Sequence, residues 1–228
     1  MGIDWTRITE DLNSRGFSCL RNLLTETDCT DLVALYDEED RFRNRVVMQQ
    51  HGYGQGEYRY FSYPLPDQVS SLREQFYQPL SVIANDWSEK LKADMRYPDH
   101  LEDYTDICHR SGQRRPTPLL LKYKAGDYNR LHQDLYGEHV FPLQMAILLN
   151  QPGADFTGGE FVVTEQSPRM QSRATVVGLN QGDALIFAVN DRPRMGLKRM
   201  SRLKMRHGVS EITSGNRHTL GIIFHDAT

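Results

Sequence analysis

The sequence predicts an α+β protein, helices first and strands second, on three observations. Val69, Leu72, Phe76, Leu80, Ile83, Trp87 and Leu91 recur at steps of three and four, laying one apolar stripe along a long helix. From Pro116 onward, short runs (PLLLKYK, VFPLQMAILLN, GEFVVTE, RATVVGL, DALIFAV and HTLGIIF) alternate with Gly, Asp and Asn turns. Regular short strands point to a sandwich or barrel, and a jelly roll, the double-stranded β-helix, is one natural form. Third, 228 residues with 39% hydrophobic side chains are enough to bury a real core. The expected division is a mainly helical support over 1–115 and a jelly-roll core over 116–228, working as one unit.

The elements follow in order. Ile3 to Leu12 has helical apolar spacing and stops at Gly16, a residue suited to the left-handed position after a helix. The apolar FSCL follows, and Thr25 and Asp28 then offer a cap for a helix through Cys29, Leu32, Val33 and Tyr36. Pro79 is expected to kink or split the long helix. The stretch from Asp99 to Pro116, with Arg110, Arg114 and Arg115, reads as a hinge loop between support and core.

Bulk properties narrow the function. A net charge of -3 with 25% charged residues excludes both disorder and global basicity, so charge has to be read locally. Cys19, Cys29 and Cys108 are odd in number and far apart, which argues against a disulfide framework or a zinc knuckle and for a reducing cytosol. Neither an apolar leader nor an eighteen-residue apolar window is seen, so the expectation is a cytoplasmic protein without a membrane span. Oligomeric state is left open.

The segment LHQDLY at 131–136 carries the chemistry. His132 and Asp134, two apart on a strand, would share a face and reach one ion. A mononuclear iron site needs two imidazoles and one carboxylate, with the other positions left for substrates. Among His139, His207, His218 and His225, His139 is too near the triplet and His225 lies at the chain end. His207, which precedes the last strand, suits the third place. Arg217, ten residues further on, could hold the far end of a dicarboxylate, and Thr219 shares its face.

This order of residues resembles the Fe(II)- and 2-oxoglutarate-dependent dioxygenases over Leu119 to Asp226. Tyr123, Gly126, Leu131, His132, Gln133 and Asp134 resemble the first motif of the AlkB-type nucleic-acid dealkylating oxygenases, where the tyrosine also contacts the cosubstrate. Leu121 departs from that motif, which often has an asparagine there. TGGEF at 157–161 and GDALIF at 182–187 look more like prolyl hydroxylases. The whole pattern, from GEYRYFSYPLP to RHTLGIIFHDA, is similar to a bacterial oxygenase group described as acting on damaged DNA. The resemblance implies Fe(II) on His132, Asp134 and His207. It also implies 2-oxoglutarate held by Arg217, Tyr123 and Thr219, with O2 as the third reactant.

Two segments bear on the substrate. In HGYGQGEYRYFSYPLP (51–66), Tyr58 and Tyr60 could stack a flipped base or form a lid; alternatively the segment is a hairpin whose aromatics pack on the barrel. Between 192 and 206, Arg192, Arg194, Lys198, Arg199, Arg202, Lys204 and Arg206 form a basic run leading to His207, a candidate nucleic-acid contact near the mouth of the site, with Arg199 and Arg202 foremost. The expected reaction is hydroxylation, or oxidative demethylation, of alkylated nucleic acid. The alternatives are a hydroxylase of a peptidyl proline, lipid or small metabolite, and a non-catalytic jelly-roll binding protein.

Overall fold

The structure, a computed structural model, describes residues 2–196 and 200–228. Helix α1 (Trp5–Arg15), strand β1 (Phe17–Leu20) and helix α2 (Glu26–Ala34) open the chain. Strands β2 (Phe42–Val47), β3 (Gly54–Gln55) and β4 (Glu57–Phe61) precede helices α3 (Asp67–Leu91) and α4 (Leu101–Arg110). The β region then runs through β5 (Leu119–Lys124), β6 (Tyr128–His132), β7 (Leu143–Leu148), β8 (Phe156–Gly158) and β9 (Phe161–Gln166). It finishes with β10 (Arg173–Val177), β11 (Ala184–Ala188), β12 (Asp191–Met195), β13 (Met200–Val209) and β14 (Ile212–Ile222).

Two antiparallel sheets face one another. The larger has the order β1-β11-β7-β14-β5-β4-β2, with β8 also on β14; the smaller has the order β10-β9-β13-β6-β3, with β12 on β13. Strand β7 is buried at every residue and β11 likewise, as continuous apolar runs at the middle of a sheet should be. The jelly-roll expectation holds. The first hundred residues contribute β1, β2 and β4 to the large sheet, because FSCL and the 42–61 hairpin offer their backbone groups to open sheet edges.

The supporting helices form for the reasons the sequence suggests. Gly16 ends α1 at φ 79°, where other residues are strained. Thr25 and Asp28 exchange hydrogen bonds in a capping box at α2. The apolar stripe of α3 is buried, each large side chain contributing roughly 1.5–3 kcal/mol relative to exposure. Its Phe76 meets Trp5 of α1, and its Tyr77 stacks on Tyr104 of α4 and meets Phe224, just past β14, at a tilt. Buried Arg73 donates to Asp226 (2.8 Å) and to the carbonyls of Ile223 and Phe224, tying α3 to the end of the last strand.

One expectation is narrowed and one corrected. Pro79 does not split the helix, which runs unbroken from Asp67 to Leu91. The 99–116 stretch is not all loop: Leu101–Arg110 is helical, because Leu101, Tyr104, Ile107 and Cys108 make an apolar stripe inside a polar sequence.

Candidate iron and keto acid site

His132 is the last residue of β6 and pairs directly with His207 on β13. The register then slips, so that His207 to Val209 oppose His132 to Asn129, leaving one extra residue on β6. Such a bulge re-aims side chains, and here both Asn129 and His132 line the same cavity although they are three apart. Asp134 lies beyond the strand, in irregular backbone, so strand alternation is not what brings it to His132. The Gln133 amide pins that turn by donating to Asn190 Oδ1 and the Met205 carbonyl, each at 2.7 Å.

The three side chains converge. His132 Nε2 is 3.4 Å from Asp134 Oδ1 and His207 Nε2 is 3.3 Å from Asp134 Oδ2. Donors about 2.0–2.2 Å from one ion, at right or tetrahedral angles, are themselves roughly 3.0–3.5 Å apart, so the donor set fits a divalent cation. Burial alone would raise the Asp134 carboxyl, but its bonds to His132 and His207 hold it well below the usual range, so it is an anion ready for a metal. Phe161 lies parallel to the His207 ring, with centroids 5.7 Å apart, and fixes its plane.

Two residues that the sequence reading missed complete this centre. Tyr136 Oη donates to Asp134 Oδ1 at 2.6 Å, and Gln144 Nε2 donates to Asp134 Oδ2 at 2.7 Å. Facing a carboxylate, the Gln144 amide has to present its nitrogen. Gln144 carried a signal, a lone polar residue inside the apolar run FPLQMAILL. Tyr136 carried none beyond proximity to the triplet.

The three centre residues line a cavity of about 210 Å3 between the sheets. On the large sheet Tyr123 is the cross-strand partner of Arg217, Leu121 of Thr219, and Leu119 of Gly221, which sets a sequence of rungs along the cavity floor. At the inner end Arg217 is 2% exposed, donates to Thr219 Oγ1 at 2.6 Å, and lies over the Tyr123 ring. Burial pushes this guanidinium down to about 10, which leaves it charged at neutral pH. Its Nε has no partner, and no carboxylate pairs with it among the described residues. Asn129, a further residue missed by sequence, donates to Tyr123 Oη at 3.3 Å.

The substrate candidates divide. Tyr58 lines the cavity, whereas Tyr60 does not: it is 6% exposed, with Arg43 4.4 Å over its ring, and serves as packing. The hairpin alternative describes Tyr60 because β4 is a strand inside the large sheet. Tyr53, 50% exposed, stands at the cavity instead and was missed, although it lies in the same aromatic stretch.

The basic run divides as well. No described residue of 192–206 lines the cavity. Arg192 is buried, bonded to Glu165 and the carbonyls of Asn13 and Ser14. Arg202 and Lys204 alternate with the inward Leu203 and Met205, face outward, and pair with Asp191 at 2.8 and 3.2 Å. Lys198 and Arg199 lie outside the described residues.

A jelly roll holding a His-Asp-His face, with an uncompensated arginine further along one cavity, defines an Fe(II)- and 2-oxoglutarate-dependent dioxygenase that uses O2. Residues 56–227 match the model of a family described as an oxygenase catalysing oxidative methylation of damaged DNA, and the chain belongs to that family. Uncharacterized proteins from two strains of Mycobacterium tuberculosis are each 47% identical over 167 residues, covering 73% of this chain and 72% of theirs. Among solved structures, a Burkholderia pseudomallei oxidoreductase of the 2OG-Fe(II) oxygenase family has a TM-score of 0.58 at 13% identity, over 100% of this chain and 95% of that one. A Pseudomonas putida prolyl-4-hydroxylase has a TM-score of 0.56 at 12% identity, over 95% of this chain and 96% of that one. These two likenesses are of fold. Among the described residues no helix is long and apolar enough to cross a membrane.

Proposed function

We propose that the protein hydroxylates an alkyl group on nucleic acid and, where that group is an N-methyl, removes it as formaldehyde. The family description supports the substrate class. The observation that carries the chemistry is Arg217, a buried cation without a carboxylate partner, opening on the same cavity as His132, Asp134 and His207. A buried unpaired charge is costly, so an anion is expected to complete it in the working enzyme.

In this reading His132, Asp134 and His207 would hold Fe(II), which when bound would supply the redox chemistry for activating O2. The fork of Arg217, oriented by Thr219 and Tyr123, would grip the distal carboxylate of 2-oxoglutarate. Tyr136 and Gln144 keep both oxygens of Asp134 aimed. One oxygen atom of O2 enters succinate as CO2 leaves, and the other enters the substrate C–H bond. A hydroxymethyl group on nitrogen then breaks its C–N bond to give formaldehyde and N–H.

Tyr58 and Tyr53 flank the substrate end of the cavity, where an aromatic face suits a planar base. Longer-range attraction of phosphates falls to the outward face of 192–206, where Arg194 and Arg206 are exposed. The test is incubation of the protein with Fe(II), 2-oxoglutarate and methylated single-stranded or duplex oligonucleotides. Formaldehyde and succinate should appear together. Succinate without formaldehyde from any oligonucleotide, with binding that does not weaken as salt rises, would remove the nucleic-acid reading and leave the oxygenase.

A further inference from the structure

The outer end of the cavity is lined by Tyr53, Tyr58, Leu119, Tyr136 and Ile223, none of them charged. Among the described residues lining the whole cavity Asp134 is the only acid, and its two oxygens are committed to Tyr136, Gln144 and the histidines. Burial pushes the Tyr58 hydroxyl up to about 12, so it adds no negative charge at neutral pH. In the loaded centre the charges of a divalent ion, Arg217, Asp134 and doubly ionised 2-oxoglutarate cancel. Among the described residues no further carboxylate lines this space to neutralise an added positive charge; the faces of Tyr53, Tyr58 and Tyr136 attract a cation only weakly beside a full negative charge, so a cation taken in there without an acid is disfavoured.

We infer that the site selects substrates whose reacting end is uncharged: a neutral alkylated group, such as a methyl on an exocyclic amine of a base, and not the ring-alkylated bases that carry a fixed positive charge. The inference rests on the proposed nucleic-acid reading for the identity of the substrate, but not for its charge. The selection is made by omission of an acid. An acid placed on the wall therefore reverses it, and Leu119, which pairs with Gly221 on the outer rung, is the position for that change.

Two experiments separate the inference from the reading beneath it. In the first, wild-type protein is loaded with Mn2+ and 2-oxoglutarate and titrated calorimetrically with N-methylaniline, a neutral probe, and with N-methylpyridinium, a cation of similar size. The neutral probe should bind at least about tenfold tighter. Equal binding, or preference for the cation, overturns the inference whatever the natural substrate is.

In the second, oligonucleotides of one sequence carry N6-methyladenine, N4-methylcytosine, 1-methyladenine or 3-methylcytosine, and formaldehyde is measured. Release from the first pair, at least about tenfold faster than from the second, supports the inference. The reverse order contradicts it. Absence of formaldehyde from all four, with the probe preference intact, sinks the nucleic-acid reading alone. Leu119→Glu should narrow or reverse the probe preference, and an unchanged preference in folded Leu119→Glu protein counts against the inference. Should that variant fail to fold, the wild-type titration decides.

Discussion

At the inner end of the cavity the rungs of β5 and β14 carry Tyr123, Arg217 and Thr219; a few residues along the same strands they carry Leu119, Gly221 and then Ile223. The inner rungs hold a buried charge with hydrogen bonds already set around it, and the outer rungs hold none. One pair of strands thus makes two environments. A fixed cosubstrate can be met by fixed charges at one end, while the other end sets only shape and polarity. The metal centre lies on the smaller sheet and in the turn after β6, across from both ends.

The comparison can be broken most severely at the centre both ends share. Asp134→Ala should lower turnover on the order of a thousandfold or more and abolish Mn2+ binding measured by calorimetry. Tyr136→Phe removes one hydrogen bond to that carboxylate and should weaken Mn2+ affinity roughly tenfold, with Gln144→Leu similar. At the outer end, Tyr58→Ala should raise substrate KM roughly tenfold, and Tyr60→Phe should leave steady-state constants within about twofold.

The smallest effect concerns stability. Burial holds His218 and His225 neutral, each pushed down to about 4 from an ordinary 6.5. Between those values the unfolded chain binds more protons than the folded one, so stability falls as pH is lowered from about 6.5 to 4. The denaturant midpoint should drop across that window, and less steeply in His218→Asn.

The sequence made the β core and the metal face readable because both rest on local patterns: short apolar runs between turns, and a triplet followed by His207 and Arg217 at set spacing. Contacts made by the fold itself were not readable. Tyr136 and Asn129 act through the turn after β6 and the bulge within it, and nothing local distinguishes them from packing residues; Gln144 stands out in its apolar run, but its partner Asp134 is set by the fold. Helix α4 was hidden by its charged residues, which mask a short apolar stripe. The basic run was legible only in part, because linear charge density does not show which charges are already paired, as Arg202 and Lys204 are with Asp191, or which are buried, as Arg192 is against Glu165.

The most direct measurement is 2-oxoglutarate binding to the Mn2+-loaded protein and to its Arg217→Ala variant, by calorimetry without oxygen. The expected result is a loss of roughly a hundredfold in 2-oxoglutarate affinity with Mn2+ affinity changed by less than about twofold, because the distal carboxylate loses its buried cationic partner while the metal face is untouched. Unchanged 2-oxoglutarate affinity, or equal losses for metal and keto acid, would contradict the division of the cavity into a metal face and a separate anion anchor.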